Sequence, residues 1–340
     1  MTRPLIKVAI VVPTIREHSI KKFIEEWGIE DLSENTALIV VEDNSTKTFK
    51  LPDNVYHFSH EDIDKEFPNP EIIPRKTSSV RMFGFWKAKQ MGFQFILTLD
   101  DDCYPNDMYQ ELESLIFHTL KSFTSFHNDN KWFYTIDGMS RGMPQQPIKQ
   151  LTGVSVLGWT RIPDIDGKYQ MQLEDNKVPL DMYPKITSPS IVPNRVLYTM
   201  CGMGVAFKVD MAKYMFWFPT LNTYFRWDDI WMGFVVKRIL DDIGLNIANN
   251  YASIKHSRAS NAKRNFELEG TNNGYAVNDA FGQYIYQSYR TTENIDTIEK
   301  LCKLISNFDN SDMNPNKGKN TYFTTTAQHY LEYYKIMSDD

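Results

Sequence analysis

Three consecutive aspartates, Asp100, Asp101 and Asp102, follow the apolar run Phe95–Leu99. Adjacent carboxylates repel one another unless something positive neutralises them. Strand alternation predicts Asp100 and Asp102 on one side and Asp101 on the other. Hard oxygen donors on one side suit Mg²⁺ or Mn²⁺, with diphosphate oxygens and water completing the shell. A cation so held stabilises a departing nucleotide diphosphate as a Lewis acid. The plainer reading is a solvated loop whose aspartates cap a helix beginning near Asn106. The position at a strand's carboxyl end favours the first.

Other residues offer weaker signals. Asp43, just after a second apolar strand, is placed to accept hydrogen bonds from a base or a ribose hydroxyl; acidic turn residues are also ordinary turn formers. Arg81, on the helix before the acidic strand, could reach phosphate, or be a surface charge. His256 ends the run YASIK and would sit near the metal, although a lone histidine is more often structural. Asp228 and Asp229 open a helix, where N-capping by one of them is the default role. Cys201-Gly202-Met203-Gly204 would let backbone approach a ligand closely, or form a tight turn.

The elements that must position these groups alternate. KVAIVV (7–12) and ALIVV (37–41) are continuous and β-branched, as buried parallel strands are. Between them Ile20, Phe23, Ile24 and Trp27 recur at helical spacing, with Gly28 near the end. A second helical stretch (78–92) leads into the strand 93–99. This alternation predicts an α/β open sheet with right-handed crossovers, whose ligands bind beyond the strands' carboxyl ends. Residues 124–200 are less periodic, with an extra strand expected at 131–136. Residues 226–245 read as a strong helix ended by Gly244, and helices are expected at 293–308 and 325–337. The simplest division is a catalytic domain over 1–270 and a helical C-terminal extension over 271–340.

The chain has 340 residues, 42% hydrophobic and 24% charged, which excludes wholesale disorder. A net charge of −6 argues against a nucleic-acid partner. An acidic protein handling an anionic phosphate needs local positive charge, which a bound cation can supply. Three scattered cysteines, Cys103, Cys201 and Cys302, form no C-x-x-C pair and suit a reducing cytosol. The apolar N-terminal run lacks a cleavage site, and no stretch is long enough to span a membrane. A cytoplasmic protein without a transmembrane segment is expected.

Taken in order, VVPTIR (11–16), VVEDNSTKT (40–48), LTLDDDCYP (97–105), SRGMP (140–144), IPDIDG (162–167), MCGMGVAF (200–207), RWDDIWMGFVVKRILDDIGL (226–245) and HSRASN (256–261) resemble one family. They are similar to the reversibly glycosylated polypeptides, the plant-type UDP-arabinopyranose mutases, over roughly residues 7–265. The resemblance implies a glycosyltransferase-A-like open sheet flanked by helices, a UDP-sugar substrate and dependence on Mn²⁺ or Mg²⁺. It implies metal ligation by Asp100, Asp102 and His256, and substrate contacts from Pro13, Thr14, Arg16, Asp43, Arg81, Asp101, Cys201, Gly202 and Met203. It also leaves homo- or hetero-oligomers open.

Family members interconvert the pyranose and furanose forms of UDP-arabinose and become glycosylated on an arginine in an R-G-x-P segment, here Arg141. Their second arginine, shortly after, is replaced here by Ile148, with Lys149 adjacent. Arginine is a poor nucleophile because its guanidinium stays protonated. Arg141 is therefore either a transient carrier of the sugar or an electrostatic clamp on the departing phosphate. Asp228 or Asp229 would exchange protons with a sugar hydroxyl. A glycosyltransferase with a separate acceptor and a non-catalytic, self-glycosylated scaffold are the rival readings.

Overall fold

The structure is a computed structural model that describes residues 6–123, 151–161, 164–177, 190–220, 223–257, 261–291 and 293–339. Strand β1 (Val8–Thr14) is buried along its whole length and pairs in parallel with β2 (Thr36–Glu42). Helix α1 (Glu17–Glu26) makes the crossover and buries Ile20, Phe23 and Ile24. Beyond β2 lie β3 (Tyr56–Phe58) and helix α2 (His60–Glu66). Helix α3 (Arg81–Gln90) then carries the chain back across the sheet to β4 (Phe95–Leu99), parallel to β1 on its other side. The strand order thus reverses about β1, which opens a crevice at the carboxyl ends of β1 and β4.

The second half of the sheet is mixed. It contains β5 (Cys103–Tyr104), β6 (Leu151–Arg161), β7 (Ser190–Ile191), β8 (Gly204–Lys208) and β9 (Leu245–His256). The order is β3-β2-β1-β4-β8-β6-β9-β5, with β7 paired to β9. Strand β8 runs antiparallel to β4 with Gly204 opposite Leu99, so the segment entering β8, Cys201–Met203, meets the acidic triplet. Strand β9 runs antiparallel to β5 with His256 opposite Cys103, which brings His256 there too. This is the α/β open sheet flanked by helices that the sequence predicts.

Helix α4 (Leu112–Lys121) starts later than the expected Asn106. Asn106 instead closes a turn, its side-chain oxygen accepting from the amides of Met108 and Tyr109 at 2.9 Å each. The aspartate triplet therefore caps no helix. Helices α5 (Gly167–Asp175) and α7 (Ala262–Glu269) pack together over the cavity, and α6 (Asp228–Asp242) ends at Gly244, whose φ of +77° suits a residue without a side chain. The N-cap of α6 is Trp227, so Asp228 and Asp229 are first-turn residues, a correction to the capping expected of them. The strand expected at 131–136 lies outside the described residues.

Helix α6 is buried on both faces because α8 (Gly274–Gln287) and α10 (Tyr322–Ser338) cover its outer side, with α9 (Ile298–Asn307) packed on α10. Phe281 and Phe323 meet at 4.7 Å between ring centroids, and both contact Trp231. The C-terminal helices thus share the core of the sheet domain. Even Lys237, fully buried, is accommodated by an ion pair to Asp241. No helix among the described residues is long and apolar enough to cross a membrane.

Gly233 marks where α6 presses on the chain leading to the site. A β-carbon there would lie 2.5 Å from the Met200 amide nitrogen and 2.9 Å from the Tyr198 carbonyl oxygen, both backbone atoms. Gly233→Ala is expected to cost about 1–3 kcal/mol through overpacking. Chemical denaturation checks this, and an unchanged midpoint would show that α6 does not rest on 198–200.

Candidate active site

Strand β4 stops at Leu99, and the Cys103 amide donates to the Asp100 carbonyl at 3.1 Å, turning the chain through the triplet. The three carboxylates separate through this turn rather than through strand pleating. Asp101, 3% exposed, turns to the end of β1, where it accepts from Thr14 Oγ1 at 2.5 Å and from Arg16, whose Nε lies 3.2 Å away. Asp100 accepts from Arg81 Nη2 at 2.5 Å. Asp102 has a long contact with Arg16 at 3.4 Å, and His256 Nε2 stands 3.9 Å from its Oδ1.

Burial, then the repulsion of Asp100, pushes the Asp102 carboxyl up to about 6, against the attraction of His256. Asp102 is thus the carboxylate of the turn least matched by positive charge, with the His256 imidazole its neighbour. That donor set, hard oxygens with one nitrogen, fits Mn²⁺ or Mg²⁺. Arg16 serves Asp101 first: burial opposes its charge, but the bond to Asp101 outweighs this and raises its pKa, while its contact with Asp102 is the longer one, 3.4 Å.

Arg81 is 1% exposed and turned inward. Besides Asp100 it donates to Thr98 Oγ1 at 3.1 Å, to the Gly202 carbonyl at 2.8 Å and to the Ser78 carbonyl at 3.1 Å, and it stacks over Trp217. It locks β4, α3 and the Cys201–Met203 segment together, rather than standing as a surface charge. Gly202 in turn donates its amide to Asp229 Oδ2 at 2.7 Å. A β-carbon at Gly202 would meet that carboxylate at 3.2 Å and Trp217 at 3.3 Å, so the glycine admits Asp229 and the indole. Burial, with Asp228 and Asp164 nearby, holds the Asp229 carboxyl well above the usual range. Asp228 accepts from Ser78 Oγ at 2.5 Å.

These groups share one cavity of about 920 Å³, whose wall runs from Pro13 and Asp43 past the acidic turn to Asp229. Of the residues singled out in the sequence, Cys201 sits just behind that wall, its thiol donating to Asp164 Oδ2 at 3.0 Å. Arg141 lies outside the described residues. Asp164 was passed over although it stands in the segment IPDIDG. It closes the far side with Asp229, a ligand atom of each lying within 4.8 Å of the Cys201 sulfur and of one another.

Arg226 and Glu269 were also missed. Glu269 accepts from the Gly167 amide at 2.6 Å, Tyr275 hydroxyl at 2.6 Å and Arg226 Nε at 3.0 Å, tying α5 and α7 to the cavity rim. Arg226 adopts a left-handed φ of +66°, a strained conformation held by this ion pair. Nothing in the sequence around Glu269 marks it, because two of its three partners, Gly167 and Arg226, are distant in the chain.

Comparison with known proteins places the chain. A family model described as reversibly glycosylated polypeptide matches residues 6–338. UDP-arabinopyranose mutase 1 of Oryza sativa subsp. japonica is 31% identical over 287 residues, covering 78% of this chain and 74% of the relative. UDP-arabinopyranose mutase 1 of Arabidopsis thaliana is 30% identical over 283 residues, covering 78% and 76%. Among solved structures, glucosyl-3-phosphoglycerate synthase from Mycobacterium tuberculosis, in complex with Mn²⁺, UDP and glucosyl-3-phosphoglycerate, is similar at a TM-score of 0.42 and 12% identity, covering 83% of this chain and 78% of that one. The match across almost the whole chain shows that this protein belongs to the reversibly glycosylated polypeptide family.

Proposed function

We propose that the protein is a nucleotide-sugar mutase that interconverts UDP-arabinopyranose and UDP-arabinofuranose in the cytoplasm. What supports this reading is the acidic turn after β4, with His256 3.9 Å from Asp102, in the wall of a cavity large enough for a nucleotide sugar, in a chain whose relatives bear the mutase name.

Asp100, Asp102 and His256 would hold a divalent cation, which when bound would supply Lewis-acid stabilisation of the departing diphosphate. Arg16 and Thr14 keep Asp101 turned away, so that its charge is already neutralised when the anionic substrate arrives. Ring contraction breaks the bond between the anomeric carbon and UDP, and the 4-hydroxyl then replaces the ring oxygen before UDP returns. A proton leaves the 4-hydroxyl and another is gained by the former ring oxygen. Asp229, whose carboxyl is raised well above the usual range, is suited to hold and return such a proton. Asp228 is oriented beside it by Ser78. Helices α5 and α7, tied down by Glu269, would shield the exposed anomeric carbon from water. Arg141 serves as sugar carrier or phosphate clamp.

The test is incubation with UDP-arabinopyranose and Mn²⁺, followed by chromatography. Furanose product that EDTA abolishes is the expected outcome. Unchanged nucleotide sugar, with UDP released only once an acceptor is added, would replace the mutase by a transferase.

A further inference from the structure

Asp43 lies at the end of β2, 5% exposed, its amide donating to the Thr14 carbonyl at 2.8 Å. Its Oδ1 is doubly occupied: His60 Nε2 lies 2.6 Å away and the Lys76 amide donates at 2.8 Å. Its Oδ2 accepts no hydrogen bond among the described residues, and Asp43 stands in the wall of the cavity. That oxygen is open to the cavity, and a ligand that covered it without supplying a donor would leave it unpaired at a cost. Burial raises the Asp43 carboxyl, while His60 and Lys76 oppose the shift.

His60 is itself fixed. It is the first residue of α2, its amide donates to the Asn44 carbonyl at 3.0 Å, and Ser59 before it forms a capping box with Asp62. It is 8% exposed and does not line the nucleotide cavity; it lines a separate pocket of about 380 Å³ behind. It therefore reaches a ligand only through Asp43. Beta-strands β2, β1 and β4 are neighbours, so two strand spacings, roughly 10 Å, separate Asp43 from the acidic turn. A nucleoside spans such a gap between its base and its diphosphate.

We propose that His60 is a positioning residue for nucleotide recognition: by holding Oδ1 of Asp43 it leaves Oδ2 as a fixed acceptor for a hydrogen-bond donor of the bound nucleoside. The inference rests on the nucleotide-sugar reading of the cavity. Uracil carries such a donor, its ring N–H, where cytosine carries a lone pair; ribose hydroxyls are the second source of the same chemistry. An asparagine at position 43 would keep its oxygen toward His60 and Lys76 and turn an amide donor to the ligand, reversing the polarity.

Calorimetric titration of UDP, CDP and 2′- and 3′-deoxy-UDP in the presence of Mn²⁺ tests this, with thermal melting to follow folding. The wild-type protein should favour UDP over CDP by about tenfold or more, the consequence of leaving the acceptor unpaired once the bound nucleotide covers it. Asp43→Asn should abolish or invert that ratio. His60→Ala should bring it close to one, and His60→Gln, which keeps a donor, should restore most of it. If the ribose is the source, the ratio affected in the same three variants will be UDP over a deoxy-UDP. Equal weakening of every nucleotide, with all ratios kept, would reduce His60 to a structural role and overturn the proposal alone. No binding of any nucleotide by the wild-type protein would overturn both this proposal and the mutase reading.

Discussion

Replacing Asp102 with alanine is expected to lower turnover by about a thousandfold or more without weakening the metal-free fold. On the proposed mechanism the rate loss follows from removing a residue that would hold the cation, whose stabilisation of the leaving diphosphate would contribute several kcal/mol. The stability result follows from the direction of the Asp102 shift. Its carboxyl is raised from 3.8 to about 6 in the folded protein, by burial and by Asp100. The folded state therefore binds that proton more tightly than the unfolded chain. The ionised side chain becomes a burden on the fold as pH rises from about 4 to about 6, and the burden is fully present at pH 7. Alanine removes it, so the metal-free fold should gain stability at pH 7, less whatever the side chain's own contacts return. Mn²⁺ titration, turnover and a melt at pH 7 read all three effects. Undiminished Mn²⁺ affinity in the variant would show that Asp102 is not a ligand.

The second large effect is expected at Arg81. Arg81→Met fills a similar space but removes the donors to Ser78, Thr98, Gly202 and Asp100 at once. Three of these acceptors are neutral, and the fourth is a carboxylate about a third exposed, so water can recover part of the loss. A cost of about 3 kcal/mol is expected, at the low end for breaking a buried ion pair. Activity should fall as well, since Gly202 and Asp100 both lose the group that sets their position. Urea denaturation measures the first. A loss under about 0.5 kcal/mol would mean a solvated guanidinium with no locking role.

What could be read from the sequence was whatever local pattern alone dictates. The β-branched runs of β1 and β2, the helical spacing of Ile20, Phe23, Ile24 and Trp27, and the long helix before Gly244 all stand close to where they are expected. The acidic triplet was legible because three adjacent carboxylates at a strand end need an explanation. The packing of α8 and α10 onto α6 was not, because an amphipathic stripe does not say which helix will cover it.

The site divides in the same way. His256 was placed correctly near the triplet in sequence terms, but only the β5–β9 pairing brings it there. Asp228 and Asp229 look like caps because acidic residues at a helix start usually are; tertiary donors, Ser78 and the Gly202 amide, claim them instead. His60, Asp164 and Glu269 have Asp43, Cys201 and Gly167 among their partners, 17, 37 and 102 residues away, separations no local pattern encodes.

One experiment bears most directly on the mutase reading: ¹H NMR of purified protein with UDP-arabinopyranose and Mn²⁺, in the absence of any acceptor. Anomeric signals of UDP-arabinofuranose should grow at the expense of the pyranose, without free UDP accumulating, and should vanish with EDTA or in Asp102→Ala. A pyranose signal that stays constant, in protein shown by titration to bind both UDP and Mn²⁺, would contradict it.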